Sequence, residues 1–195
     1  EGSTPVHEAM LPAPPTNVVI DFNFDLSSKS NIKIEFEGKD YALGETTVDE
    51  NKLAVRRALD PSAPDGLYTV SYTACWPDNS CHDGVFQFGI DRRLGRDYPD
   101  QRGKGEVTIN LSNTRFAPET IRVSAGTKIT WVNQEDSVHY VNTDSHPGHT
   151  YFPEQNSKAL KKGDSFTVVF NKIGSYPYHC SAHADVMGGV IIVEE

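Results

Sequence analysis

The chain contains 195 residues, of which 27 are acidic and 18 are basic, so that its formal net charge is −9 at pH 7. The acidic excess is uneven, because residues 1–95 carry 15 acids and 8 bases, whereas residues 96–195 carry 12 and 10. A nucleic-acid partner requires a basic stripe, and this sequence contains none. No apolar run approaches the roughly 20 residues of a membrane-spanning helix. The composition therefore predicts an acidic soluble protein with one large domain or two small ones.

The first residues, Glu-Gly-Ser, show neither the basic nor the apolar segment of a secretory signal. Two interpretations stay open: the protein has no signal peptide, or the sequence is a processed form. An upstream membrane tether is compatible with both.

Apolar residues alternate with polar ones in the first half, and this pattern predicts β-strands rather than helices. Ile20, Phe22 and Phe24 fall on one face of the first clear strand, at residues 18–24. The other predicted strands of this half lie at residues 32–36, 67–76 and 86–90. The best helix candidate, residues 50–59, is short and not clearly amphipathic.

The segment at residues 91–105 is charged, glycine-rich and aperiodic, which is typical of a linker. It predicts a first domain at residues 1–92, a linker at 93–105 and a second domain at 106–195. In the second domain, predicted strands lie at residues 107–111, 121–123, 129–132, 166–170 and 190–193. The chain is therefore predicted to be all-β, with two β-sandwiches in tandem.

The three cysteines suggest one pair and one special thiol. Cys75 and Cys81 lie six positions apart, whereas Cys180 lies near the C-terminus. A disulfide would place the protein in an oxidising compartment, periplasmic or otherwise extracytoplasmic. The alternative is three reduced thiols in a cytosolic protein.

The C-terminal sequence brings a thiol, an imidazole and a thioether onto one short loop between two predicted strands. Cys180, His183 and Met187 occupy this loop, and His139, just after another predicted strand, is a fourth candidate ligand. One thiolate, two imidazoles and a weak thioether form a soft, near-trigonal donor set that suits copper. Structural zinc normally uses more cysteines, and calcium or magnesium prefers oxygen ligands. The spacing therefore predicts one copper ion per chain.

Residues 106–195 resemble the cupredoxins, the plastocyanin-like type 1 blue copper proteins. The resemblance lies in the stretches FAPETIRVSAGTKITWVNQEDSVHYV, ALKKGDSFTVVF and GSYPYHCSAHADVMGGVIIV. It implies an eight-stranded Greek-key sandwich and a role in electron transfer. It also implies that His139 and His183 are the imidazole ligands, Cys180 the thiolate and Met187 the axial thioether.

Two features depart from the family pattern. Three residues separate His183 from Met187, whereas plastocyanins place four there and amicyanin-like proteins two. The axial bond of Met187 could therefore be short, long or replaced by water, or the side chain could only pack against the loop. Tyr140 follows His139 where many relatives have Asn, so another group must order the ligand loops.

Further histidines lie close to these residues in the sequence. His146 and His149 flank Pro147-Gly148, and we interpret this segment first as a polar loop. The alternative is a second, exposed metal site or a loading point for copper. His179 precedes Cys180, so strand alternation points it away from the copper, either onto an electron route or into packing. Tyr178 and Trp131 are predicted core residues.

Residues 3–90 resemble the CopC-type periplasmic copper-binding domains, which are Ig-like β-sandwiches. The resemblance lies in STPVHEAMLPAPPTNVVIDFNF and DGLYTVSYTACWPDNSCHDGVFQFGI. The family's upstream histidine is absent, and its downstream element is altered around His82 and Asp83. These two residues remain metal candidates, with His7 a more distant one. The favoured interpretation is a disulfide between Cys75 and Cys81; the alternative is a thiol pair that binds copper with His82.

Three functions are compatible with these observations. The favoured one is a one-electron carrier that serves a redox partner protein, rather than an enzyme. The second is copper binding or trafficking through both domains. The third is redox catalysis on a small molecule at an open copper site.

Overall fold

The computed structural model describes residues 2–195. These residues form two compact units, of which the first ends at Leu94 and the second spans Gly95–Glu195. Strands dominate both units, and the helical elements of the described residues are three short 3-10 turns at Arg92–Gly95, Pro153–Gln155 and Ser181–His183. Within residues 2–195, no helix has the length and apolarity needed to span a bilayer.

The first unit is a sandwich of two sheets, one with the strand order β1-β3-β7-β6 and the other with the order β2-β9-β8-β4-β5. Its strands are β1 Gly2–Thr4, β2 Met10–Leu11, β3 Asn17–Asp21, β4 Asn31–Phe36, β5 Lys39–Asp40, β6 Ala42–Val48, β7 Ala54–Leu59, β8 Gly66–Cys75 and β9 Cys81–Ile90.

The core of the first unit follows the predicted alternation, with two local differences. Ile20 and Phe22 are buried as predicted, but Phe24 is 71% exposed. Strand β3 ends at Asp21 and the Phe22 N–H donates to the Leu53 carbonyl, so the alternation stops before Phe24. The helix candidate at residues 50–59 instead contains strand β7, which pairs with both β3 and β6.

A disulfide closes the end of the longest hairpin in the first unit. Strands β8 and β9 pair over ten residues each, and Cys75 lies opposite Cys81 in the register. Their sulfur atoms are bonded to each other. This bond is the disulfide favoured by the sequence, and it overturns both alternatives that needed free thiols at these positions.

The second unit is also a sandwich of two four-stranded sheets, with the orders β11-β10-β13-β15 and β12-β17-β16-β14. Its eight strands are β10 Glu106–Ser112, β11 Arg115–Ala117, β12 Thr120–Ser124, β13 Thr127–Asn133, β14 Asn142–Thr143, β15 Ser165–Phe170, β16 Gly174–His179 and β17 Gly188–Glu194. The predicted all-β architecture with two tandem sandwiches is thus confirmed.

Aromatic side chains fill the space between the sheets of the second unit. Trp131 is fully buried on β13, whose residues alternate strictly between buried and half-buried. Its ring meets the Tyr178 ring edge-on, with 5.4 Å between centroids, and Tyr178 in turn packs against Phe116. Both residues predicted as core, Trp131 and Tyr178, are therefore core residues. This packing fixes the position of β16, and the last residue of β16 directly precedes Cys180.

Candidate metal centre

A polar turn after strand β13 sets the position of His139. The Asn133 side chain, at the end of β13, donates to the Ser137 and Leu160 carbonyls and accepts from the Glu135 N–H. The backbone of His139 then exchanges two hydrogen bonds with Leu160, at 3.1 and 2.8 Å. Because both backbone groups of His139 are hydrogen-bonded to Leu160, the position of its Cα atom is fixed, and the ring that it carries is fully buried.

The loop between β16 and β17 carries the other three candidate residues. The Cys180 N–H donates to the Met187 carbonyl, and the N–H groups of His183 and Met187 donate to the carbonyls of Cys180 and His183. The loop is thus a closed turn with its own backbone hydrogen bonds. Cys180 is 0% exposed and Met187 is 1% exposed.

Two imidazole nitrogens converge on the Cys180 sulfur. The Sγ atom lies 3.6 Å from His139 Nδ1 and 3.5 Å from His183 Nδ1. A metal ion held at about 2.0–2.1 Å by an imidazole and about 2.3 Å by a thiolate, at angles from tetrahedral to trigonal, places N and S about 3.5–3.8 Å apart. The three donor atoms therefore have the spacing of ligands around one ion. Their chemistry, one soft sulfur and two imidazoles, fits copper.

Glu135 is a residue of this centre that sequence reasoning missed. Its Oε1 atom lies 2.6 Å from His139 Nε2 and also accepts the Thr114 N–H, while Oε2 accepts the Asn113 N–H. The Thr114 hydrogen bond, followed by that of His139, lowers the pKa of Glu135 below its usual value. The Glu135 carboxylate can accept a hydrogen bond from Nε2–H of His139, and in that tautomer Nδ1, which faces the sulfur, carries the lone pair that a metal ion needs.

The main chain supplies a further partner to the thiol. The N–H of Tyr140 points at Cys180 Sγ at 3.3 Å. A donor to sulfur stabilises a thiolate over a thiol. The side chain at position 140, which departs from the family's Asn, is not needed for this contact. Glu135 and Asn133 order the turn instead.

A second group of histidines includes His179, the residue before Cys180. His146, His149 and His179 place one ring nitrogen each within 4.8 Å of one another. His149 Nε2 lies 3.3 Å from His146 Nδ1 and 3.2 Å from His179 Nε2. Sequence reasoning treated His146 and His149 mainly as a polar loop and did not connect them with His179. Their meeting depends on a long-range approach of this loop to β16, which no local pattern encodes.

Neighbouring polar groups orient this histidine group. Asp144 Oδ1 lies 2.9 Å from His179 Nδ1, and Ser181 Oγ lies 3.1 Å from His149 Nε2. Burial, and then the nearby His179 and His146 rings, lower the pKa of His149. The three imidazoles differ in exposure: His146 is exposed, His149 half-buried and His179 buried.

The metal candidates of the first unit are not brought together. His82 and Asp83 are both exposed on β9, where Asp83 accepts a hydrogen bond from Thr73. His7 Nδ1 accepts the Gln87 N–H. Among residues 2–195, none of these three belongs to a group of three or more His, Cys, Asp or Glu ligand atoms close enough to share an ion.

Comparisons with known proteins match each unit separately. The model of the copper binding proteins of the plastocyanin/azurin family matches residues 104–194, and the CopC domain model matches residues 1–91. Amicyanin-alpha of Methylorubrum extorquens is 30% identical over 88 residues, which cover 45% of this chain and 72% of that protein. Amicyanin of Paracoccus denitrificans is 24% identical over 91 residues, which cover 45% of this chain and 66% of that protein.

Among solved structures, a reduced amicyanin mutant is similar over 47% of this chain and 85% of its own, at 22% identity and a TM-score of 0.40. The family assignment rests on the sequence matches. Through its C-terminal unit the chain belongs to the plastocyanin/azurin family of copper binding proteins, and its N-terminal unit matches the CopC domain model.

Proposed function

We propose that the C-terminal unit holds one type 1 copper ion and transfers single electrons. His139, Cys180 and His183 are the equatorial ligands, and Met187 is the axial thioether. The observation that carries this proposal is the convergence of two Nδ1 atoms on one buried sulfur at 3.5–3.6 Å. Copper in such a donor set supplies reversible one-electron chemistry.

The residues around the site hold the ligands in one geometry. Asn133 and Leu160 fix the backbone of His139, and the hydrogen-bonded loop fixes Cys180, His183 and Met187. A site that is already ordered needs little rearrangement when its charge changes, which favours fast electron transfer. Glu135 keeps the His139 ring in the tautomer that presents Nδ1.

The His183 ring gives electrons a short route to the surface. His139 and Cys180 are fully buried, whereas His183 is half-buried. The outer edge of the His183 ring therefore connects the site to a redox partner protein that docks over it. The disulfide between Cys75 and Cys81 supports a periplasmic or other extracytoplasmic location.

Redox titration of the copper-loaded full-length protein tests this function. We expect an intense thiolate-to-copper band that one electron per chain bleaches and reoxidation restores through several cycles. Retention of the band under reductants, or reoxidation only with consumption of a small-molecule substrate, would contradict the carrier role. The second outcome would support catalysis at an open site.

Copper handling is the second candidate function, and the CopC domain favours it. In this case the N-terminal unit binds copper and passes it on, and His82 and Asp83 are its candidate ligands. The test is the copper stoichiometry of full-length His82→Ala and Asp83→Ala variants. A loss of one equivalent with an unchanged blue band would support handling, and unchanged stoichiometry in both variants would oppose it.

A further inference from the structure

In the histidine group beside the proposed copper site, more lone pairs face His149 Nε2 than one N–H proton can satisfy. Asp144 faces Nδ1 of His179, so the proton of a neutral His179 ring lies on that nitrogen and Nε2 presents a lone pair. The Ser181 hydroxyl donates to the Asn142 side chain, so its oxygen presents lone pairs to His149 Nε2. A single N–H at His149 Nε2 would have to serve both the His179 nitrogen and the Ser181 oxygen.

A cation satisfies these lone pairs better than one shared proton. Imidazole ligands at about 2.0–2.1 Å from an ion in tetrahedral geometry have nitrogens about 3.3–3.4 Å apart. The two short nitrogen separations of the group are 3.3 and 3.2 Å. The carboxylate of Asp144 on the outer nitrogen of His179 is the partner that metal-binding histidines commonly have.

We infer that His146, His149 and His179 form a second metal site, which takes a divalent ion of the kind that imidazoles prefer, copper(II) before zinc. Three imidazole ligands with no thiolate make this site spectroscopically distinct from the first. His146 is exposed, so the fourth position opens to solvent and accepts water or a small anion.

The two sites share one strand end. His179 ends β16 and Cys180 continues it with an extended backbone, so consecutive side chains are expected to leave opposite faces of the chain. Consecutive Cα atoms are 3.8 Å apart, so the two ions would lie on the order of 10 Å from each other. A continuous covalent path through His179 and Cys180 therefore couples the open site to the buried one, a consequence that rests on the proposed function of Cys180.

Copper(II) titration of the full-length apoprotein tests the second site. We expect one equivalent to produce the thiolate band and a further equivalent to add a copper(II) EPR signal without strong colour. The His146→Ala variant should keep the thiolate band and bind this further equivalent about 100-fold or more weakly, because a lost ligand costs more than the about 10- to 100-fold effect of a lost ligand partner. Lys158→Ala, an exposed change in the same unit, is the matched control.

Three further readouts complete the test. Zinc(II) should compete for the colourless equivalent without bleaching the thiolate band, and azide should change only the EPR signal of that equivalent. The His149→Ala variant should reproduce the loss seen with His146→Ala. An azide-insensitive signal would overturn the open position.

The outcomes separate this proposal from the proposed function. If His146→Ala and His149→Ala bind as much copper as the Lys158→Ala control, the second site does not exist. If the further equivalent disappears with His82→Ala instead, it belongs to the N-terminal unit, and the proposal is wrong. A protein that shows the imidazole-only signal without any thiolate band would retain the second site and refute the type 1 assignment.

Discussion

Replacement of Glu135 by Gln removes a negative charge from the partner of His139. Hydrogen bonds to charged groups contribute about 1.5–3 kcal/mol and neutral ones about 0.5–1.5 kcal/mol, so the contact at His139 Nε2 weakens by about 1–1.5 kcal/mol. Since about 1.4 kcal/mol is a factor of ten, the copper affinity should fall about tenfold. The variant also loses an acceptor for the exposed Asn113 N–H, which destabilises the apoprotein by about 0.5–1.5 kcal/mol.

Two measurements separate these effects: competition with a copper chelator, followed on the thiolate band, and urea unfolding of the apoprotein. Asp136→Asn is the matched control, because Asp136 is the next residue, undergoes the same charge change and has a side chain that is 91% exposed. If both Glu135→Gln and Asp136→Asn bind copper as tightly as the wild-type protein, the role assigned to Glu135 is refuted. If both variants lose copper affinity to the same extent, net charge and not the His139 contact sets the affinity.

The remaining predictions concern the axial residue, the disulfide and a crowded glycine. Met187→Leu should shift the reduction potential and the visible spectrum while copper stays bound; a spectrum identical to wild type would show that Met187 is no ligand. Joint replacement of Cys75 and Cys81 by Ala should lower the free energy of unfolding of the first unit by about 2 kcal/mol, from the entropy of a loop closed over six residues; unchanged urea unfolding would contradict this. Gly189→Ala should destabilise the second unit by about 1–3 kcal/mol, because a Cβ there meets a main-chain carbonyl and a tyrosine ring. Gly105→Ala, where a Cβ meets nothing within 4 Å, is the control, and equal urea midpoints for the two variants would contradict the packing argument.

Strand positions were predictable where one face of a strand is buried. The alternation at residues 129–132 coincides with β13, and the apolar run at residues 190–193 coincides with β17. The core contains Ile129 and Trp131 of β13 and Ile191, Ile192 and Val193 of β17. The pattern was a poor guide at strand ends: Phe24 continues the alternation of β3 but lies after the chain has left the sheet. Strand β7 was also missed, because its two arginines, Arg56 and Arg57, interrupt the apolar run.

Cys180, His183 and Met187 were recognisable because one short loop carries all three and their chemistry selects the metal. The roles of Glu135 and His179 were not recognisable in the same way. Glu135 lies in a polar turn, and only the approach of Thr114 and His139 gives its carboxylate a function. His179 was predicted to point away from the copper, but its partners His149 and Asp144 lie 30 and 35 positions earlier in the chain.

The proposed electron transfer requires that Cys180 binds copper as a thiolate. Its most direct test is the visible absorption spectrum of the full-length apoprotein and of its Cys180→Ser variant during titration with copper(II), with metal analysis of the same samples. We expect the wild-type protein to develop an intense thiolate-to-copper band that saturates at one equivalent, and the variant to remain folded by circular dichroism and to lack the band. A wild-type protein that binds copper without this band, or a variant that keeps it, would contradict the account.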